Sequence, residues 1–143
     1  MKTTARIKAG HKERGASLVE TAFVILPFLM LLIGILDLAR VLHLHQSLTE
    51  AVRGAARYGA IYPNDLTAVQ NLILYDQTTA PQNATPRFGL QASMVNVQRL
   101  NPGTIEERLV LTVSGYSFRL HTPVVGRLLQ GLPITAVMPV EVR

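Results

Sequence analysis

A chain of 143 residues with 48% hydrophobic and 16% charged residues has the material for one small domain. It contains no cysteine, which excludes a disulfide framework, a thiolate zinc site and a cysteine nucleophile. The net charge of +5 is uneven: Lys2, Arg6, Lys8, Lys12 and Arg14 against Glu13 place +4 ahead of residue 15 and leave +1 for the rest. No basic face with aromatic residues or a recognition helix follows, so a nucleic-acid partner is not expected.

In chain order, residues 1–15 read as a basic leader. Between Glu20 and Asp37 lie sixteen uncharged residues, Thr21 to Leu36, dominated by Phe, Val, Ile, Leu and Met, which read as the centre of a membrane-crossing helix. Basic residues immediately ahead of such a run mark its cytoplasmic flank, so everything after it is expected outside the cytoplasm. Residues 16–60 read as one membrane-spanning and extended helix. Beyond the apolar run, Leu38, Val41, Leu42, His45, Leu48, Val52, Ala55 and Gly59 recur at steps of three and four and form one stripe. A helix from Ser17 to Ala60 would be about 65 Å long at 1.5 Å per residue, enough to cross a bilayer and project beyond it. The outer half of its stripe is expected to hold a sheet, and the inner half to be open to partners. Pro27 predicts a kink or local unwinding over 23–27, and Gly59 with Tyr62-Pro63-Asn64-Asp65 predicts the helix end.

Residues 61–89 read as a connection with a short helix over Leu66–Tyr75, capped by Asp65, followed by a polar linker from Thr78 to Pro86. Residues 90–143 read as a small antiparallel β-region. Leu90, Ala92 and Met94 alternate with polar neighbours, as do Leu109, Leu111 and Val113, and Asn101-Pro102-Gly103 supplies a turn between them. A last strand over Ile134–Val142 contains Pro139 and should be an edge or carry a bulge there. The fold class expected is α+β: a long N-terminal transmembrane helix extended into the periplasm and packed on a small antiparallel sheet.

The most informative stretch is Arg14-Gly15-Ala16-Ser17-Leu18-Val19-Glu20. A carboxylate at the entrance of a membrane helix is costly unless paired or wetted, and a position near the helix N-terminus, where the dipole favours an anion, is one explanation for Glu20. The spacing offers another. If a cut follows Gly15, Ala16 becomes the N-terminus and Glu20 the fifth residue, which is similar to the prepilin pattern of type IV pilins. The stretch Gly15 to Glu20, then Leu26-Pro27, Gly34-Ile35-Leu36-Asp37-Leu38-Ala39-Arg40 and Leu48 to Arg57, resembles the TadE-like family of the tight-adherence (Flp-type) pilus system. Tyr116-Ser117-Phe118-Arg119, followed by Thr122-Pro123 and Leu128-Leu129, resembles the same family's post-strand loop, less distinctively.

The resemblance implies a processed minor pseudopilin of the bacterial inner membrane, pilin-like in fold. A prepilin peptidase would cut between Gly15 and Ala16. Glu20 would meet the free α-amine of a neighbouring subunit during assembly, and the partners would be the membrane, the peptidase and other pilins and pseudopilins. The β-region is more than a major Flp pilin carries, and Ala16-Ser17-Leu18-Val19-Glu20 lacks the aromatic first residue usual in type II secretion pseudopilins. A TadF-like or type II secretion pseudopilin and a signal-anchored periplasmic ligand- or protein-binding module are the alternatives.

No acid, base and nucleophile converge, and no HExxH, phosphate loop or nucleophile elbow exists, so neither enzymatic activity nor a cofactor is expected. His43 and His45 lie about 200° apart around a helix and cannot chelate one ion. His45, on the apolar stripe, reads as a packed or interfacial histidine. Asp37 with Arg40 and Glu50 with Arg53 have the spacing of helix-surface ion pairs, each worth about 0.2 to 0.5 kcal/mol. Asp37 also ends the apolar run, a position suited to setting membrane depth.

Overall fold

A computed structural model describes residues 10–120 and 128–140, with side chains from 15 to 120 and from 129 to 140. Most of the leader, Thr122-Pro123 and the end of the last strand therefore lie outside the described residues. Helix α1 runs from Gly10 to Ile61, 52 residues and about 78 Å. It starts earlier than the motif at Gly15 predicts, because one glycine costs only about 1 kcal/mol against alanine and does not end a helix. It also passes Pro27 unbroken, which corrects the unwinding expected there. Proline removes a single backbone donor, and the flanking helix-forming residues keep the remaining ladder.

Large hydrophobic residues of the inner part of α1 are bare in the isolated chain, with Phe23 78% and Leu38 59% exposed. The outer part is different. Leu48, Val52, Ala55 and Ala56 are buried and form one cluster with Val69, Ile73 and Leu74 of helix α2 (Leu66–Tyr75). Burying each leucine, isoleucine or valine of this cluster stabilises the fold by about 1.5 to 3 kcal/mol. Asp65 caps α2, its Oδ1 accepting from the Ala68 N–H at 2.9 Å. Left-handed Asp76 closes the other end, its N–H donating to the Leu72 carbonyl at 3.1 Å.

Three strands cover this helix pair. They are β1 (Val95–Leu100), β2 (Arg108–Val113) and β5 (Ile134–Pro139), antiparallel in the order β1-β2-β5. The register stacks Val95, Val113 and Ile134 in one row across the inner face and Val97, Leu111 and Ala136 in the next. Central β2 follows the alternation read from its sequence, with Leu109, Leu111 and Val113 inside. Strand β5 is an edge, as Pro139 requires. Gly59 does not end α1, which continues to Ile61. It is buried where helix and sheet approach, and a side chain there would collide with Leu109 and Val69.

Two expectations for the β-region are corrected. Leu90, Ala92 and Met94 do not form a strand, because 3-10 turns at Arg87–Gly89 and Ala92–Met94 occupy that stretch and the sheet begins at Val95. Tyr116 to Arg119 is not a loop throughout: Ser117–Arg119 is strand β3, antiparallel to β4 (Leu128–Gln130) in a separate two-stranded ribbon. The fold is the α+β arrangement expected from the sequence.

Candidate assembly site

Gly15, Ala16 and Glu20 lie on consecutive turns of α1, all exposed. Nothing approaches the position a Gly15 side chain would take. Ala16 and Glu20 are one turn apart on one face, and on the adjoining face Thr21 Oγ1 donates to the Ser17 carbonyl at 2.8 Å. Glu20 makes no ion pair among the described residues, so its carboxylate is available to a cation brought from outside. Beside it, Val19, Ala22, Phe23, Leu26 and Pro27 line a shallow apolar groove. This segment can therefore offer one anion and an uneven apolar surface, with no catalytic group nearby.

The apolar run ends at Asp37, which is only 4% exposed. Arg40 stands 3.7 Å from it, and Ser117, Phe118 and Arg119 of β3 line one groove with Asp37, Arg40, Val41 and Leu44. The helix-surface ion pair read from the sequence is present, but its carboxylate is buried. Glu50 and Arg53 also pair, at 3.2 Å, in the open.

About two turns beyond Asp37, His45 holds the ribbon rather than an ion. Its Nδ1 is 3.1 Å from the hydroxyl of buried Tyr116, and that hydroxyl donates to the Leu132 carbonyl at 2.6 Å. With the hydroxyl proton committed, Nδ1 must carry the hydrogen of the first contact. Burial pushes the Tyr116 hydroxyl pKa upward, and Phe118 packs edge-on against its ring at 5.4 Å. Gly131 leaves room for that ring, since a side chain there would run into it. Among the described residues no group of three His, Cys, Asp or Glu could hold a metal.

A second buried carboxylate, Glu107, went unread in the sequence. Its Oε2 accepts from the Gly103 N–H at 2.7 Å, and its Oε1 accepts from Arg99 Nε at 2.7 Å. Arg99 also donates to Asn64 at 2.9 Å. The Gly103 N–H above all, and Arg99 after it, hold the Glu107 carboxyl below the usual carboxylate range against the opposing effect of burial. Glu107 closes the β1–β2 turn around Asn101 and Gly103 and is structural.

The family model of TadE-like proteins matches residues 15–57. The match begins at Gly15, takes in Glu20, Pro27 and Asp37, and ends at Arg57, within the outer half of α1. The matched segment lies in a helix long and apolar enough to cross a membrane, as a membrane anchor requires. It stops short of Tyr116–Arg119. Comparison with curated proteins and with solved structures gave no match.

Proposed function

We propose that this chain is a processed minor pseudopilin of the bacterial inner membrane that takes part in assembling a tight-adherence pilus. One observation carries the reading: the TadE-like match starts at the Gly15 that ends a basic leader and places a carboxylate, Glu20, five residues further on. A prepilin peptidase cuts between Gly15 and Ala16. The cut creates an α-amine, and the amine of one subunit neutralises Glu20 of the next inside the membrane, where an unpaired carboxylate is costly. The role is structural and uses no cofactor. Its partners are the peptidase, the membrane, and other pilins and pseudopilins.

The test is the intact mass of the protein extracted from membranes of cells with an active prepilin peptidase. The expected mass lacks the first fifteen residues. Retention of Met1 to Gly15 overturns the reading and favours a plain signal anchor. Gly15→Val should block the cut, and because nothing lies within 4 Å of that position, a block would report on the peptidase rather than on misfolding.

A further inference from the structure

We infer that the β3–β4 ribbon is a second membrane contact, resting on the outer surface of the bilayer, with Leu129 in the headgroup layer and Arg119 on lipid phosphate. The inference rests on the reading of α1 as the membrane anchor, and it concerns residues outside the TadE-like match.

The argument is one of height along α1. Sixteen uncharged residues from Thr21 to Leu36 span about 24 Å, less than the roughly 30 Å of bilayer hydrocarbon. The lipid boundary therefore falls at Asp37 or just past it. The ribbon is fixed at this level, because Phe118 and Arg119 share a groove with Asp37, Val41 and Leu44, and Tyr116 is held by His45. A headgroup layer adds roughly 5 to 7 Å on each side of the hydrocarbon, the rise of about four helical residues. An element packed against residues 37 to 44 cannot avoid that layer when the apolar run is inserted.

The chemistry of the ribbon suits the location. Leu129 pairs with Phe118 across the strands yet is 45% exposed. Arg119 is exposed at the neighbouring position and presents a fork of donors that matches a phosphate. Asp37, at the end of the apolar run, is almost fully buried and lines one groove with the three residues of β3. The ribbon thus carries an apolar side chain on one face and a cationic one on the other at the level of the interface, the combination that favours partition to an anionic surface.

The chain contains neither cysteine nor tryptophan, so a single introduced cysteine carrying an NBD label reports one position without background. Full-length Phe28→Cys, Leu129→Cys and Ile105→Cys variants would be reconstituted in vesicles of phosphatidylethanolamine and phosphatidylglycerol, with lipids spin-labelled either near the headgroup or in mid-chain. Ile105, 94% exposed in the β1–β2 turn at the far end of the sheet, is the wet reference. The expected result is a blue-shifted label at position 129 quenched by the headgroup-proximal spin label. The label at position 28 should be quenched from mid-chain, and that at position 105 should be unshifted and unquenched.

A label at position 129 as wet as that at 105, with the one at 28 quenched, overturns the inference and leaves the anchor standing. A label at 129 that is blue-shifted but unquenched means that protein covers the ribbon, which also overturns it. An unquenched label at 28 overturns the anchor reading and the inference together. Adding Arg119→Glu to the Leu129→Cys variant should reduce quenching in the vesicles containing phosphatidylglycerol; unchanged quenching overturns the assignment of Arg119 to lipid phosphate.

Discussion

Two carboxylates in this chain answer to different partners. Glu20 stands exposed on α1, so Glu20→Gln keeps its size and hydrogen-bonding capacity and disturbs no ion pair among the described residues. The variant should insert and lose its leader normally, since a carboxylate near a membrane interface costs insertion at most a few kcal/mol. It should fail to crosslink with other pilins and fail to restore pili in a strain lacking the protein. Full piliation by the Gln variant would mean that Glu20 is an interfacial anion on a helix N-terminus and nothing more.

Glu107 is bound within its own fold. With its folded pKa held below the ordinary value of 4.5, its contribution is fully present above that value and is lost as pH falls through the folded one. Acidification below about pH 4.5 should therefore lower the unfolding midpoint of the wild type more steeply than that of Glu107→Gln, which should already be the less stable protein at pH 7. Parallel acid limbs, measured by circular dichroism in detergent, would show that the carboxylate charge does not hold the turn.

The elements divide by how local their causes are. The buried stripe of outer α1, the Asp65 cap, the alternation of β2 and the edge position of β5 are all legible, because a repeat of 3.6 or 2, one capping side chain or a single proline fixes each. The candidate site is legible for the same reason: Gly15, Ala16 and Glu20 form a motif six residues long. Alternation misled at Leu90, Ala92 and Met94, where Phe88 and Gly89 take left-handed backbone (φ 59° and 65°) and turn the chain before any strand can form. Strands β3 and β4 have three residues each, too few for a period to show. Their anchor depends on Tyr116 meeting His45, 71 positions earlier, and Leu132, 16 later, which no local pattern announces.

That anchor can be tested through Gly131, whose lack of a side chain makes room for the Tyr116 ring. The ring cannot swing aside without giving up its hydroxyl contacts. Gly131→Ala should cost about 1 to 3 kcal/mol, the range for overpacking a close-packed core. It should also shift the Tyr116 signal in near-ultraviolet circular dichroism, while an exposed change such as Leu132→Ala leaves both unchanged. Equal stability of the two variants would mean that the ribbon yields freely around Tyr116.

At the scale of the molecule, one helix of about 78 Å does two jobs in sequence. Its inner part is apolar on every side and carries no domain, whereas its outer part buries one face under α2 and the sheet. The two parts meet at Asp37, where the ribbon also sits. This division fixes how far the domain stands from the membrane but not which side it occupies. The side we propose follows from charge: the basic residues ahead of the apolar run outnumber Arg40 just after it, a bias that predicts a cytoplasmic N-terminus and a periplasmic domain. Trypsin added to intact spheroplasts should reach the domain from outside. The first cut is expected after Arg87, which follows the exposed stretch 76–80 and the polar linker, because α1 and the paired strands hold their backbones in hydrogen-bonded ladders that a protease cannot thread. An N-terminal fragment ending near Arg87 should remain in the membrane. Protection of that bond until the inner membrane is lysed would place the domain in the cytoplasm, and the assembly role, which needs the domain outside, would fall with the orientation.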